Sequence, residues 1–187
     1  MKTKNVERYL NSFGKKVVSG AKKRLAAAGK GGGKLENSIK FKVMPDLSVQ
    51  FSMADYGTFV DKGVKGAGGK IPNGKYKGSW GGRRHYTTWE GKRKDSPYKY
   101  GTGTGKKGGL SDGIGSFIRK KGLQPRSEGG QFMSTAGLKY LIIRNIWIRG
   151  IHGISFFQKP LGIGMQDYGK KFLAALSEDI LESLKTK

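Results

Sequence analysis

Glycine and positive charge are concentrated in one central stretch of this chain, and such a stretch is a poor source of a packed core. Residues 64–131 hold 18 of the 32 glycines and carry 16 Lys and Arg against 4 Asp and Glu, which is half of the formal net charge of +24. Unpatterned, glycine-rich sequence is typical of loops and excursions. We therefore expect residues 1–63 and 150–187 to build a compact core and residues 64–149 to form a basic insertion with one or two helices.

The first flank predicts a long helix followed by a β-hairpin. Apolar residues recur every three or four positions over residues 4–28, and the glycines of residues 29–33 end the helix. Residues 39–43 and 47–53 alternate apolar and polar side chains on either side of Pro45 and Asp46, as in a half-buried antiparallel hairpin. We expect Tyr56, Phe59 and Val60 to form the inner face of a single helical turn that Gly63 ends.

The rest of the chain predicts three more helices. The first covers residues 111–121, with Ser111 or Asp112 as its cap. The second covers residues 134–148. The third is a single helix over residues 160–184, which begins with a proline in its first turn and has a large apolar residue at every fourth position from Tyr168 to Leu184.

The net charge of +24 indicates a polyanionic or acidic partner. Within the insertion, aromatic residues alternate with Lys and Arg, a composition suited to stacking on bases and contacting phosphates. The same residues would equally suit a loop that packs on a neighbouring subunit, and both interpretations remain open. The candidate contacts to DNA or to a subunit are Lys75, Lys77, Arg83, Arg84, Lys92, Arg93, Lys94, Lys106 and Lys107.

Signatures of catalysis and of membrane insertion are missing from the sequence. The chain has no cysteine, and its two histidines, His85 and His152, have no acidic neighbours at metal-ligand spacing. Residues 101–107 resemble a phosphate-binding loop but lack its first glycine and its Ser or Thr. No apolar run approaches the roughly 20 residues that span a bilayer. We expect a protein that is not an enzyme, needs no cofactor or metal, and binds no membrane.

Three short motifs, in a fixed order relative to the helices, carry a family resemblance. They are K-L-x-x-S-I from Lys34, D-Y-G-T-F-V-D-K-G from Asp55, and F-F-x-x-P-L from Phe156. In this order they resemble the neck or tail-component proteins of long-tailed bacteriophages, the tail-completion and head–tail connector proteins. Asp61 stands where that family usually has Glu. The matching residues are Leu35, Ser38, Ile39, Tyr56, Phe59, Val60, Asp61, Gly63, Phe157 and Pro160.

The resemblance implies an α+β fold, in which a small antiparallel sheet is packed by long N-terminal and C-terminal helices and a large Gly/Lys-rich insertion projects from the core. It also implies a structural virion protein, made in the host cytoplasm, that forms a homo-oligomeric ring of six or twelve copies. Its partners would be the portal-side head-connector proteins, the tail-tube proteins and the genomic DNA in the channel.

Residues 64–131 would then form an extension that reaches an adjacent ring or faces the lumen. The alternative function is that of a stand-alone, non-specific nucleic-acid-binding protein, and a nuclease or nucleotide-dependent enzyme is a third class.

Overall fold

A computed structural model describes residues 3–66, 85–98, 110–124, 126, 129–131 and 134–185. It has an α+β fold, in which long N-terminal and C-terminal helices pack together with small two-stranded antiparallel sheets. The predicted fold class is therefore confirmed. The helices are α1 (Lys4–Ala27), α2 (Lys34–Ser38), α3 (Gly57–Lys62), α4 (Leu110–Lys121), α5 (Thr135–Arg149), α6 (Gln158–Gln166) and α7 (Tyr168–Lys185). The strands are β1 (Lys40–Val43), β2 (Val49–Ser52), β3 (Gly63–Lys65), β4 (His85–Thr87), β5 (Arg93–Asp95) and β6 (Gly150–His152).

The chain divides into two compact units. The first comprises Met1–Lys62, Tyr86–Lys94 and Gly153–Lys187, and the second comprises Gly63–His85 and Asp95–His152. Residues 86–94, which the sequence analysis placed in the insertion, are thus part of the first unit.

Helix α1 is the centre of the first unit. Its apolar stripe packs against α7, α6 and β1, as its three- and four-residue spacing requires. The N-terminal end of the stripe, with Val6 and Leu10, packs in one apolar cluster with Ala175 of α7. The C-terminal end, with Ala21 and Leu25, packs in a second cluster that contains Phe156. A series of aromatic contacts joins the two clusters: ring centroids lie 4.9 Å apart for Phe13–Tyr168, 6.3 Å for Phe13–Phe51 and 5.4 Å for Phe51–Phe157.

The predicted hairpin is present as β1 and β2, which pair antiparallel with Phe41 opposite Phe51. Pro45 and Asp46 lie in its turn, where the Asp46 carboxylate accepts hydrogen bonds from the backbone N–H and the hydroxyl of Ser48. Gly14 of α1 faces Phe41, and any Cβ at this position would collide with the phenyl ring. The small residue therefore allows the helix to approach the sheet closely.

The second unit contains α4, α5 and the antiparallel pair β3–β6. The hydroxyl of Ser134 caps α5 by accepting a hydrogen bond from the N–H of Gly137. Gly150 follows α5 with φ +75°, and a Cβ there would collide with the carbonyl oxygen of Val64. Only glycine suits this junction between helix and strand.

Three local predictions were wrong. Residues 160–184 are two helices, not one: α6 begins before Pro160 and ends at Gln166, and Asp167 separates it from α7. Tyr168, the first residue of α7, packs against Phe13 of α1, and glycines at positions 162, 164 and 169 weaken a continuous helix. The second wrong prediction is the cap of α4. Ser111 and Asp112 lie inside this helix, which begins at Leu110.

The third error concerns α3. Tyr56 and Phe59 are each 43 % exposed instead of facing inward, whereas Gly57 and Asp61 are the buried residues of this helix. The apolar spacing of one short turn fits more than one rotation of the helix, and the hydrogen bonds made by Asp61 select the observed one.

Candidate functional site

Each of the three stretches that carry the family resemblance contributes apolar side chains to one cluster in the first unit. Leu35 and Ile39 are buried beside Phe156, and Val60 and Phe157 pack against the same group. We call these five residues the motif cluster. Ala21 and Leu25 of α1 close it from one side. Stretches that lie up to about 120 residues apart in the sequence therefore form one apolar contact, whose burial stabilises the fold by roughly 25 cal/mol per Å².

Ser38 joins α2 to the segment after β2. Its hydroxyl donates to the carbonyl oxygen of Leu35 at 2.7 Å and accepts from the N–H of Ala54 at 2.9 Å. The Ser38 hydroxyl therefore has both a donor and an acceptor partner within the fold, and this motif residue has a structural role.

Asp61 forms the polar part of the same arrangement. One carboxylate oxygen accepts hydrogen bonds from the N–H groups of Phe157 at 2.7 Å and Gln158 at 3.4 Å, at the beginning of α6. Its backbone carbonyl accepts from the N–H of Ser155 at 2.9 Å. A carboxylate at a helix N-terminus satisfies N–H groups that lack partners inside the helix and interacts favourably with the helix dipole. Asp61 therefore caps α6 from a distant part of the chain.

The surroundings of Asp61 raise its pKa. Burial is the largest cause, because it disfavours the charged form. The hydrogen bonds from Phe157 and Gln158 and the nearby Lys62 and Arg24 act in the opposite direction without cancelling it. Asp61 is only 4 % exposed, and one of its carboxylate oxygens is occupied by backbone N–H groups of the same chain.

A second buried carboxylate, Asp179 of α7, caps α1. Its two oxygens accept from the N–H groups of Asn5 at 2.9 Å and Val6 at 3.0 Å. Burial acts to raise the pKa of Asp179, but the hydrogen bonds from Val6 and Asn5, together with nearby Arg8, outweigh it and hold the pKa below its ordinary value. The role of Asp179 was not predicted from the sequence. Asp179 follows Phe172 by seven residues and Ala175 by four, so the helical period places this acid on the buried face of α7.

The remaining motif residues have different surroundings. Pro160 of α6 lies against Gly20 of α1, where an added Cβ would be 2.9 Å from the proline Cβ. Gly63 has φ +73°, a conformation that favours glycine and lets the chain leave α3 for β3. Tyr56 and Phe59 are half exposed, as described above, so these two are the motif residues most available for contact with another molecule.

Three of the nine predicted basic contacts lie in described residues. Lys92, Arg93 and Lys94 are exposed on the β4–β5 hairpin, while Lys75, Lys77, Arg83, Arg84, Lys106 and Lys107 lie outside the described residues. The hairpin is fixed to the first unit at two points. The N–H of Thr87 donates to the hydroxyl of Ser155, and the Trp89 indole fits against Gly162, where a Cβ would collide with the ring.

Among the described residues, no group of three His, Asp or Glu side chains is arranged to hold a metal ion. Within the same ranges, no helix has the length and apolar character needed to cross a membrane.

Comparison with known proteins adds no assignment, because no family model, no curated protein and no solved structure matches this chain.

Proposed function

We propose that this chain is a structural subunit of the neck or tail-completion ring of a tailed bacteriophage. The observation that carries the proposal is the convergence of the three resembling stretches in the motif cluster, with Asp61 capping the helix that begins next to Phe157. A chance similarity in three short motifs gives no reason for them to meet in space. Their meeting supports the idea that they are the framework of one kind of fold.

The role we assign is mechanical, without catalysis, cofactor or metal. In the proposed ring, the subunit binds copies of itself and joins the head-connector proteins to the tail tube. The exposed aromatic residues Tyr56, just before α3, and Phe59, on α3, would supply a surface for neighbours, and the exposed basic residues on the β4–β5 hairpin would supply one for passing DNA. Attraction between such basic residues and DNA is independent of base sequence.

The test is loss of the protein from the phage that encodes it. A nonsense mutation early in its gene is expected to yield filled heads and complete tails that do not join. Antibody labelling of wild-type virions should place the chain at the head–tail junction. Infectious particles that assemble normally without the chain would overturn the proposal.

The alternative function, a stand-alone non-specific nucleic-acid-binding protein, is favoured by one observation: the exposed run Lys92, Arg93 and Lys94 on an anchored hairpin. A stand-alone protein of this kind should bind duplex DNA tightly as a monomer or dimer. A neck subunit should bind DNA weakly and form rings.

Replacing Lys92, Arg93 and Lys94 by alanine should reduce the salt dependence of DNA binding. Each lost phosphate contact lowers the slope of log K against log salt concentration by about 0.9, so three contacts predict a change of about 2 to 3. Fluorescence anisotropy with a random-sequence duplex at several salt concentrations measures it. The matched control replaces the exposed Lys30, Lys34 and Lys40, removing the same charge from another surface. Equal effects of the two triple variants would show that the hairpin is not the contact.

A further inference from the structure

Helix α1 presents a group of lysines on the side that faces away from the core. The apolar stripe of the helix is buried against the rest of the first unit. At 100° per residue, the lysines in the middle and C-terminal parts of the helix fall on the opposite side. Of these, Lys22 is half-buried and the other three are exposed. We call this set the basic face of α1: Lys15, Lys16, Lys22 and Lys23.

The basic face has no acidic partner among the described residues. A solvated helix face is commonly stabilised by acids three or four residues from its lysines, and none of these positions around the four lysines holds Asp or Glu. Two acids line shallow clefts beside the face, but each is engaged elsewhere. Glu36 accepts a hydrogen bond from the N–H of Gly32, and Asp167 pairs with Lys171 at 3.1 Å.

The stability of α1 itself does not account for this charge. The helix carries seven Lys and Arg against one Glu. The helix dipole favours a base in the last turn, where Arg24 lies, but its effect does not extend to Lys15 and Lys16 in the middle of the helix. Like charges on one face repel each other, so an anionic partner would relieve a cost that the free chain bears.

The composition of the face selects the kind of partner. Ser12, Ser19 and Ala26 lie between the lysines, so the face offers positive charge without an exposed aromatic or large apolar side chain. A protein interface has an apolar or aromatic centre, and a membrane-bound helix turns its apolar side to the lipid. Single-stranded nucleic acid needs aromatic side chains on which its bases stack. Contacts to the backbone of a duplex need only basic and small polar side chains.

The spacing of the lysines suits two rows of phosphates. Lys15 and Lys16 precede Lys22 and Lys23 by seven residues, so the two pairs lie about 10.5 Å apart along the helix axis. The major groove of B-DNA is about 12 Å wide. When α1 lies across the groove, one pair of lysines can therefore reach the phosphates on each side.

We propose that the basic face of α1 binds the phosphate backbone of duplex DNA, independently of base sequence. The proposal rests on the contact with passing DNA that the proposed function includes, and it names a contact surface in addition to the β4–β5 hairpin. Lysines that neutralise phosphates release bound counterions, so the affinity falls as the salt concentration rises. This salt dependence is the quantity that the surface should control.

Removing the three exposed lysines tests the surface. A chain with Lys15→Gln, Lys16→Gln and Lys23→Gln should show a slope of log K against log salt concentration that is smaller by about 2 to 3, because each lost phosphate contact removes about 0.9. Fluorescence anisotropy with a random-sequence duplex at several salt concentrations measures the slope. A slope equal to that of the wild type would overturn the proposal.

Two control variants separate contact from net charge. The first removes the same charge from another surface and should change the slope by less than about 1; it replaces the exposed Lys30, Lys34 and Lys40 by glutamine. The second replaces the same three lysines of α1 by arginine, which keeps their charge, and should keep the slope. Equal changes in the two glutamine variants, or a reduced slope in the arginine variant, would contradict the assignment of the surface.

Lysine footprinting locates the contact in the wild-type chain, without any substitution. Saturating duplex DNA should reduce the acetylation of Lys15, Lys16 and Lys23 several-fold, as measured by mass spectrometry, and leave Lys30 and Lys34 as reactive as in the free protein. Vesicles of phosphatidylcholine and phosphatidylserine, and poly-glutamate, are the competing probes. Protection by either of these but not by DNA would assign the face to a lipid surface or an acidic polypeptide and overturn the proposal.

The two proposals fail differently. If the chain lies at the head–tail junction but DNA does not protect the basic face and the slope is unchanged, the DNA contact is wrong and the proposed function stands. If the slope falls and the face is protected as expected, but infectious particles assemble normally without the chain, the DNA contact stands and the proposed function is wrong.

Discussion

Replacing Phe156 by alanine is expected to lower the free energy of unfolding by about 3 to 5 kcal/mol. Phe156 is 0 % exposed and lies in the middle of the motif cluster, where three stretches of the chain meet α1. Its removal loses the transfer free energy of the ring and leaves a cavity that several separate elements would have to close together. Urea unfolding, followed by the circular dichroism of the helices, measures the change.

The control for this substitution is Phe59→Ala. Phe59 belongs to the same set of motif residues but is 43 % exposed on α3, whereas Phe156 is fully buried, so the expected loss is smaller, about 1 kcal/mol. In the proposed ring, the same variant should impair assembly more than stability. Equal losses of stability from the two substitutions would show that the motif cluster is not a main source of the stability of the first unit.

Asp61→Ala is expected to cost about 2 kcal/mol at neutral pH, because the N–H groups of Phe157 and Gln158 lose their acceptor at a buried helix end. Asp61→Asn should cost less, since the amide oxygen can still accept both hydrogen bonds without a buried charge. Asp55→Ala, which removes an exposed acid from the same stretch, should change stability by no more than about 0.5 kcal/mol.

The pH dependence separates these effects. Because burial raises the pKa of Asp61 above its ordinary value of 3.8, the folded state binds a proton more readily than the unfolded chain. The stability that this group adds is therefore fully present below the unfolded pKa and is lost as pH rises through the folded pKa. Wild type should gain stability relative to Asp61→Asn on acidification from pH 7.

Asp179 behaves in the opposite sense, since its lowered pKa makes its contribution present above the unfolded pKa and lost as pH falls through the folded one. Asp179 is present in wild type and in Asp61→Asn alike, so its contribution cancels when the two proteins are compared. A difference between wild type and Asp61→Asn that is independent of pH, or that shrinks on acidification, would contradict the raised pKa of Asp61.

The parts of the fold that local sequence controls were predictable. The apolar stripe of α1 and the alternating pattern of β1 and β2 depend on neighbours within a few residues. All three elements begin and end within a residue or two of the expected bounds. The division of residues 160–184 into α6 and α7 was not predictable from spacing. The apolar period continues across Asp167, and the turn there depends on where Tyr168 meets Phe13, a residue of α1.

The site was predicted only in part for a related reason. Motif residues were identified from their order, but the partners of Asp61 and Asp179 lie 96 and 174 residues away in the sequence, so no local pattern reveals the caps. The apolar spacing of α7 was visible in the sequence, but the period alone does not distinguish Phe172, which packs internally, from Leu181 and Leu184, which are exposed.

Two backbone hydrogen bonds, from Ile154 N–H to Val60 and from Ser155 N–H to Asp61, join the points where the chain leaves the first unit and finally returns to it. Closing a loop costs only about 0.6 kcal/mol more for each doubling of its length. Changes in the length of Gly63–His85 or Asp95–His152 should therefore cost little in chain closure, whereas residues 86–94 are held in the first unit by Ser155 and Gly162. The energy of chain closure therefore sets almost no limit on the size of the second unit.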